Sequence, residues 1–258
     1  MTHYDTTEKE GMDREEIGLP GVQLDLLKAI ASQCDTPIVV VLFNGGPLAI
    51  EWLVESPRVE AIVEGWYPGV NGGTAVAEVL LGKYAPAGKL PVTMYHANYT
   101  KQIAETSMDM RSYPGRTHQY LQVPVLFPFG YGLSYTTWKY AKEIVLDRTS
   151  GTATVVVSNV GRVGSDEVVL LFSRYVVGSG DAHVHQAFGT LPQQALVDFQ
   201  RVKMIQPGET RNVTFAVDTK VFSLVDLTGE KRIVPGQWEL FAGHGMDKVA
   251  TTLVSVVV

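Results

Sequence analysis

PIVVVLFNGGPLAIEWLVESPRVEAIVEGWYPGVNGG (residues 37–73) is the stretch on which the fold turns. Its opening, Pro37–Phe43, is a continuous β-branched run, the pattern of a strand buried on both faces of a parallel sheet. Asn44-Gly45-Gly46-Pro47 then turns the chain, with Pro47 suited to a helix's first turn. A short helix is expected over Leu48–Val54 and a second strand over Val59–Glu64. Asn71-Gly72-Gly73 opens another helix, running to about Leu81. This strand–helix alternation argues for an α/β layer with a largely parallel sheet.

Upstream, Leu19-Pro20-Gly21 punctuates the chain. Val22–Gln33 follows with Val22, Leu26, Ala29 and Ile30 at helical spacing. Downstream, Pro91–Tyr95 (PVTMY) reads as a third strand. Residues 97–140 fit neither period and are rich in Tyr, Pro, Gly and Arg, which marks a functional or docking segment. After Lys142 the texture changes to short β-prone runs: Thr152–Val157, Glu167–Phe172, Val213–Val217 and Trp238–Phe241. Asn159-Val160-Gly161, Pro207-Gly208-Glu209 and Pro235-Gly236 separate them. Such spacing predicts an antiparallel β-sandwich of about 110 residues.

Composition narrows the function classes. The chain has 258 residues, 45% apolar and 19% charged, so it can bury a full core and is not a disordered chain. Its net charge is −6 and it carries no basic stripe, which argues against a nucleic-acid or anionic-membrane partner. The apolar runs Pro37–Phe43 and Leu253–Val258 are far shorter than a membrane span. With one cysteine, Cys34, neither an internal disulfide nor a cysteine-cluster metal site can form. Met1–Glu16 is polar and acidic throughout and has no secretory-leader pattern.

Five segments together resemble one family. They are DTTEKEGMDREEIGLPGVQLDLL (Asp5–Leu27), GWYPGVNGGTAVAEVLLGKYAPAGKLPVTMY (Gly65–Tyr95), MDMRSYPGRTHQYL (Met108–Leu121) with VLFPFGYGLSYT (Val125–Thr136), FQRVKMIQPGETRNVTFAV (Phe199–Val217) and PGQWELFAG (Pro235–Gly243). In this order they resemble the β-xylosidase/α-L-arabinofuranosidase branch of glycoside hydrolase family 3. The resemblance implies residues 1–138 as the C-terminal part of an (α/β)6-sandwich domain with its linker, and 139–258 as a fibronectin type III-like sandwich. It also implies an extracellular setting and xylo- or arabino-oligosaccharide substrates. An upstream TIM barrel, in the same chain or in trans, would carry an aspartate nucleophile. Ser165-Asp166 does not stand in for that nucleophile, because it belongs to the predicted sandwich beside the Asn-Val-Gly turn.

Retaining glycosidases need two carboxyl groups about 5–5.5 Å apart, a nucleophile and a general acid/base. The resemblance places the acid/base in the acidic block, at Glu8 or Glu10. Like charges in one loop can raise a carboxyl's pKa towards that of a working acid. Asp13-Arg14 would hold the block in place. Trp66 and Tyr67 lie at a strand's C-terminal end, where α/β folds bind ligands, and offer aromatic faces to a sugar. Trp52 reads as core. Arg111, Tyr113, Arg116 and Tyr120 read as clamps for the long segment.

No cofactor is expected. Asn71-Gly72-Gly73 lacks the lysine of a phosphate loop, and His183-x-His185, placed in a loop, lacks a third metal ligand. Asn98 and Asn212 satisfy the N-glycosylation rule. The alternative to an enzyme is a non-catalytic carbohydrate-binding or structural remnant.

Overall fold

The computed structural model describes residues 10–12, 14–178, 181–244 and 247–257. By contacts it divides into two compact units. One comprises Met1–Glu78, Thr93–Met108 and Val123–Phe127; the other comprises Val79–Val92, Asp109–Gln122 and Pro128–Val258.

The first unit is the α/β layer. Helix α1 (Gln23–Gln33) leads into β1 (Ile38–Leu42), then α2 (Glu51–Glu55), β2 (Val59–Glu64) and α3 (Gly72–Leu80). β1 and β2 pair in parallel, Val40 against Ile62 and Leu42 against Glu64. This is the parallel pair expected from Pro37–Phe43 and Val59–Glu64. Their core gathers Val40, Leu42, Leu48, Ile50 and Leu53, with Trp52, Ile62 and Phe127 packed against it. Each such aliphatic side chain contributes about 1.5–3 kcal/mol when fully buried. The helix expected from Leu48 starts three residues later, at Glu51, because Ala49 is taken up by a bridge to the upstream chain. Ala49 N–H there donates to Ile17 O at 2.7 Å, in a parallel bridge between Gly18 and Ala49.

Pro91–Tyr95 is not a strand. It makes a single bridge, Met94 with Phe127, in which Met94 N–H donates to Phe127 O at 2.8 Å. Proline explains why the ladder stops there. Pro91 and, on the facing segment, Pro128 have no N–H to give, so no continuous ladder forms around this bridge.

The second unit is built on an antiparallel sandwich, as predicted. One sheet runs β12 (Asp247–Val256), β11 (Gly236–His244), β6 (Ser165–Tyr175), β7 (Ala195–Ile205). In the other, β5 (Thr152–Asn159) pairs with β8 (Thr210–Ala216), β3 (Trp138–Tyr140) and β4 (Val145–Asp147). Strict alternation along β5 sends Ala153, Val155 and Val157 inward, each 0% exposed. They meet Leu171, Phe215, Trp238 and Leu240 in a core shared by both sheets. A small hairpin, β9 (Ser223–Val225) with β10 (Lys231–Ile233), lies beside them.

Short helices fill the long segments. The four-residue α4 (Thr117–Tyr120) lies in the aromatic stretch, and α5 (Ala182–Phe188) carries His183 and His185. The two histidines are therefore helical, not in a loop. Val184 and Phe188 anchor that helix at i, i+4, and Gly189 ends it at φ 67°.

Residues 79–92 belong to the sandwich unit for a physical reason. Leu90 N–H donates to Tyr131 O and Gly130 N–H to Leu90 O, both at 2.8 Å. Gly132 permits this approach, since a Cβ there would fall 2.2 Å from Gly88 O. The Lys89 ammonium then reaches Glu167 at 3.3 Å, with both side chains almost wholly buried.

Candidate functional site

Three segments of the first unit converge at the carboxyl ends of β1 and β2. They are the residues after the acidic block, the β1–α2 loop (Phe43 to Ile50) and the residues after β2. Arg14 reaches the loop: its guanidinium lies 3.5 Å from where a Gly46 Cβ would sit. Ile17 and Gly18 run alongside Ala49. Open α/β sheets bind ligands at such strand ends, because loops there converge without occupying the sheet's faces.

Trp66 and Tyr67 are where the sequence placed them, directly after β2. Tyr67 is 57% exposed, and its ring lies across Gly45. A Cβ on Gly45 would come within 2.6 Å of the Tyr67 hydroxyl, so only glycine fits beneath the ring. Trp66 is half-buried and adopts φ 48°, a left-handed backbone uncommon for a bulky residue. Glu10 is exposed in a turn at the start of the described chain. Glu8 and Asp13 lie outside the described residues. Of the four candidates, the structure therefore groups Trp66 and Tyr67 at one strand end.

The motifs do not single out a further carboxylate, Glu64. Strand alternation puts it on the face of Ile62, which packs into the core, and this was the signal available in VEAIVE. Its Oε1 accepts from Trp66 N–H at 3.1 Å and its Oε2 from Asn44 Nδ2 at 3.3 Å. Burial raises the Glu64 carboxyl above the usual range, and those two hydrogen bonds oppose the rise. The same Asn44 amide donates to Gly46 O at 2.8 Å.

Trp52 and Arg111 among the remaining candidates serve packing. Trp52 lies on α2 against the core. In the second unit, Arg111 donates to Phe188 O at 3.0 Å and Val225 O at 3.1 Å, and its guanidinium stands over the Tyr120 ring. This fixes the long segment to the sandwich. Tyr113 is exposed. Ser165 and Asp166 lie on β6, where Asp166 accepts from Arg201 at 2.7 Å and from Met204 N–H at 2.8 Å.

Two open depressions of about 670 and 520 Å³ lie on the second unit around Gly189. The carboxylate of the smaller, Asp226, is already engaged by Thr228 and Arg232. Among the described residues no group of histidine, cysteine, aspartate or glutamate could hold a metal. No helix among them is long and apolar enough to cross a membrane.

Comparison with known proteins agrees with this arrangement. Residues 1–135 match the glycosyl hydrolase family 3 C-terminal domain, and 167–245 match a fibronectin type III-like domain. The chain is 35% identical, over 97% of its length, to the probable exo-1,4-β-xylosidase xlnD of Neosartorya fischeri. It is 31% identical over 92% of its length to β-D-xylosidase 1 of Arabidopsis thaliana. In each case it spans 34% of the relative.

Solved structures align similarly. A family 3 exo-β-xylosidase (XlnD), in complex with a xylobiose aziridine activity-based probe, superposes with a TM-score of 0.84 at 28% identity. That alignment covers 96% of this chain and 34% of the other. DesR, a β-glucosidase from Streptomyces venezuelae in complex with D-glucose, gives 0.75 at 29% identity, covering 96% and 32%.

Proposed function

Because the chain belongs to glycoside hydrolase family 3, we propose that it supplies the acid/base and part of the sugar cleft of a retaining β-1,4-xylosidase. Its substrates would be xylo- or arabino-oligosaccharides released from xylan or arabinan. The observation that carries this reading is the match, over nearly the whole chain, to proteins named as a probable exo-1,4-β-xylosidase and a β-D-xylosidase. The geometry supports it: Arg14, Ile17 and Gly18 lie against the β1–α2 loop, and the Tyr67 ring lies across Gly45 of that same loop.

In this reading Glu8 or Glu10 protonates the leaving glycosidic oxygen, then deprotonates the water that releases the sugar. The nucleophilic aspartate comes from a barrel, in the same polypeptide or in trans. Trp66 and Tyr67 lend apolar faces to the sugar ring, whose C–H groups pack on aromatic surfaces. A chain spanning a third of its relatives supplies half of the carboxylate pair, and half of the pair does not complete the reaction.

The test is hydrolysis of p-nitrophenyl β-D-xyloside by the 258-residue chain, alone and combined with the barrel-bearing portion of a xylosidase relative. Release is expected from the combination and not from the chain alone. Replacing the working residue, by Glu8→Gln or Glu10→Gln, should lower kcat by about 10²–10⁴-fold. A silent combination whose chain still binds xylobiose would favour the carbohydrate-binding remnant. Turnover by the chain alone, lost in a Glu8 or Glu10 variant, would reveal a nucleophile within these residues.

A further inference from the structure

Glu64 joins the ends of both parallel strands. Through Oε1 it holds the Trp66 N–H beyond β2, and through Oε2 it holds Asn44 beyond β1. A carboxylate suits this position because it accepts through both oxygens and donates nothing. The residue it holds needs holding, since Trp66 at φ 48° occupies a backbone region that an L side chain enters only when its surroundings impose it. On the other side of the joint, Asn44 Oδ1 is buried and has no hydrogen-bond partner among the described residues. The Asn44 amide is thus oriented by what its Nδ2 donates to, Glu64 and Gly46 O. The Tyr67 ring across Gly45 closes the same pair of loops from outside.

We propose that Glu64 is a positioning residue: by bridging Trp66 N–H and Asn44 it fixes the two strand-end loops so that Trp66 and Tyr67 face the sugar together. The sugar part of this rests on the xylosidase reading above; the bridge itself does not. Glu64 makes no contact with substrate in this role. It acts through the backbone of Trp66.

Two measurements on the 258-residue chain test it. The first is a double-mutant cycle read as thermal midpoints of wild type, Glu64→Ala, Trp66→Gly and the double variant. If Glu64 holds a left-handed tryptophan, glycine removes the need. Glu64→Ala should then lower the midpoint by several degrees in the wild-type background and by less than half as much beside Trp66→Gly. Equal losses in both backgrounds overturn the proposal. Glu64→Gln keeps an oxygen for the Trp66 N–H but sets two NH₂ groups face to face at Asn44. It should recover at least half the stability lost in Glu64→Ala, and a Gln variant as damaged as Ala also overturns the proposal.

The second measurement is an NMR titration with xylobiose, following the Trp66 amide and indole signals. Glu64→Ala should shift both signals and weaken xylobiose binding about tenfold, as losing a charge-assisted hydrogen bond predicts. Unmoved Trp66 signals in that variant would sink the bridge. A wild-type chain indifferent to xylobiose overturns the sugar reading alone, and the cycle then decides the bridge.

Discussion

Asp226 sits where the β9–β10 hairpin turns, and its carboxylate closes that turn. It accepts from Thr228 Oγ1 at 2.7 Å, from Glu230 N–H and Thr228 N–H at 2.9 Å, and from Arg232 Nε at 2.7 Å. These partners, the Thr228 hydroxyl foremost, hold its pKa down at about 2. A carboxyl depressed in the folded state stabilises above its unfolded pKa of about 4, and that contribution fades as pH falls through the folded value. The hairpin's share of stability should therefore be whole at neutral pH and drain away between about pH 4 and pH 2. Asp226→Asn, which cannot titrate, should melt below wild type at pH 7 and approach it at pH 2. A gap of equal size at both pH values would mean that Asp226 contributes by shape alone.

Single elements show a second kind of dependence, a polar group buried at a junction. Lys89 precedes the sandwich by some fifty residues yet ends inside its unit, donating to Glu167 and to Gly132 O, each at 3.3 Å. Glu167 also accepts from Tyr140 Oη at 2.8 Å. Burial nevertheless raises the Glu167 carboxyl, because desolvation outweighs what Lys89 and Tyr140 contribute. Removing one partner of a buried pair leaves the other uncompensated, a loss of about 3–5 kcal/mol. Lys89→Met should lower the unfolding free energy, read from urea denaturation, by that order. Adding Glu167→Gln should win part of it back, since a neutral amide can keep the Tyr140 bond. If the double variant is no better than Lys89→Met alone, charge burial is not what the lysine relieves.

The same scale shows which elements were legible in the sequence. β1 and β2 were, because their β-branched residues mark strands, but the expected burial of β1 on both faces does not hold: Val39 is 47% exposed. β5 was too, because half-burial leaves alternation. Pro91–Tyr95 has the composition of a strand but lacks N–H groups where a ladder needs them, a property of its partner segment as much as its own. α5 is short, and Val184, Phe188 and Gly189 spell a helix and its stop only once the burial of the first two is known. Asn159 was read as a turn residue. Its burial became visible only with its partners: its amide donates to Val163 O and Ile205 O, while Thr136 and Gly161 N–H donate to it. At the site, Trp66 and Tyr67 could be placed from the strand pattern. Glu64 could not be weighed until its neighbours showed it bridging two loops.

At the scale of the whole molecule, the first unit is distinguished by how little its helix covers. None of the residues of α1 is buried; Val22 is 75% exposed, Leu26 59% and Ile30 38%, one apolar stripe at helical spacing. Val39 on β1 is 47% exposed. By contrast, the rings of the aromatic segment between Met108 and Gly132 are mostly packed. Tyr120 is buried and Phe129 stacks on His118 with ring centroids 4.3 Å apart, while Tyr113 is exposed. The α1 stripe is an open apolar surface of the first unit, and contiguous apolar surface of this kind drives association in water. The purified chain should self-associate, its scattering mass rising with concentration. Val22→Lys with Leu26→Lys should lower that mass to the monomer while leaving the melting midpoint within about a degree or two, because neither side chain contributes to the core. Adding the barrel-bearing portion of a xylosidase relative should suppress association in the wild type if that portion covers the stripe. A monodisperse wild-type monomer across the concentration range would show that the stripe is tolerated as it stands, and association unchanged by the two lysines would place the contact elsewhere.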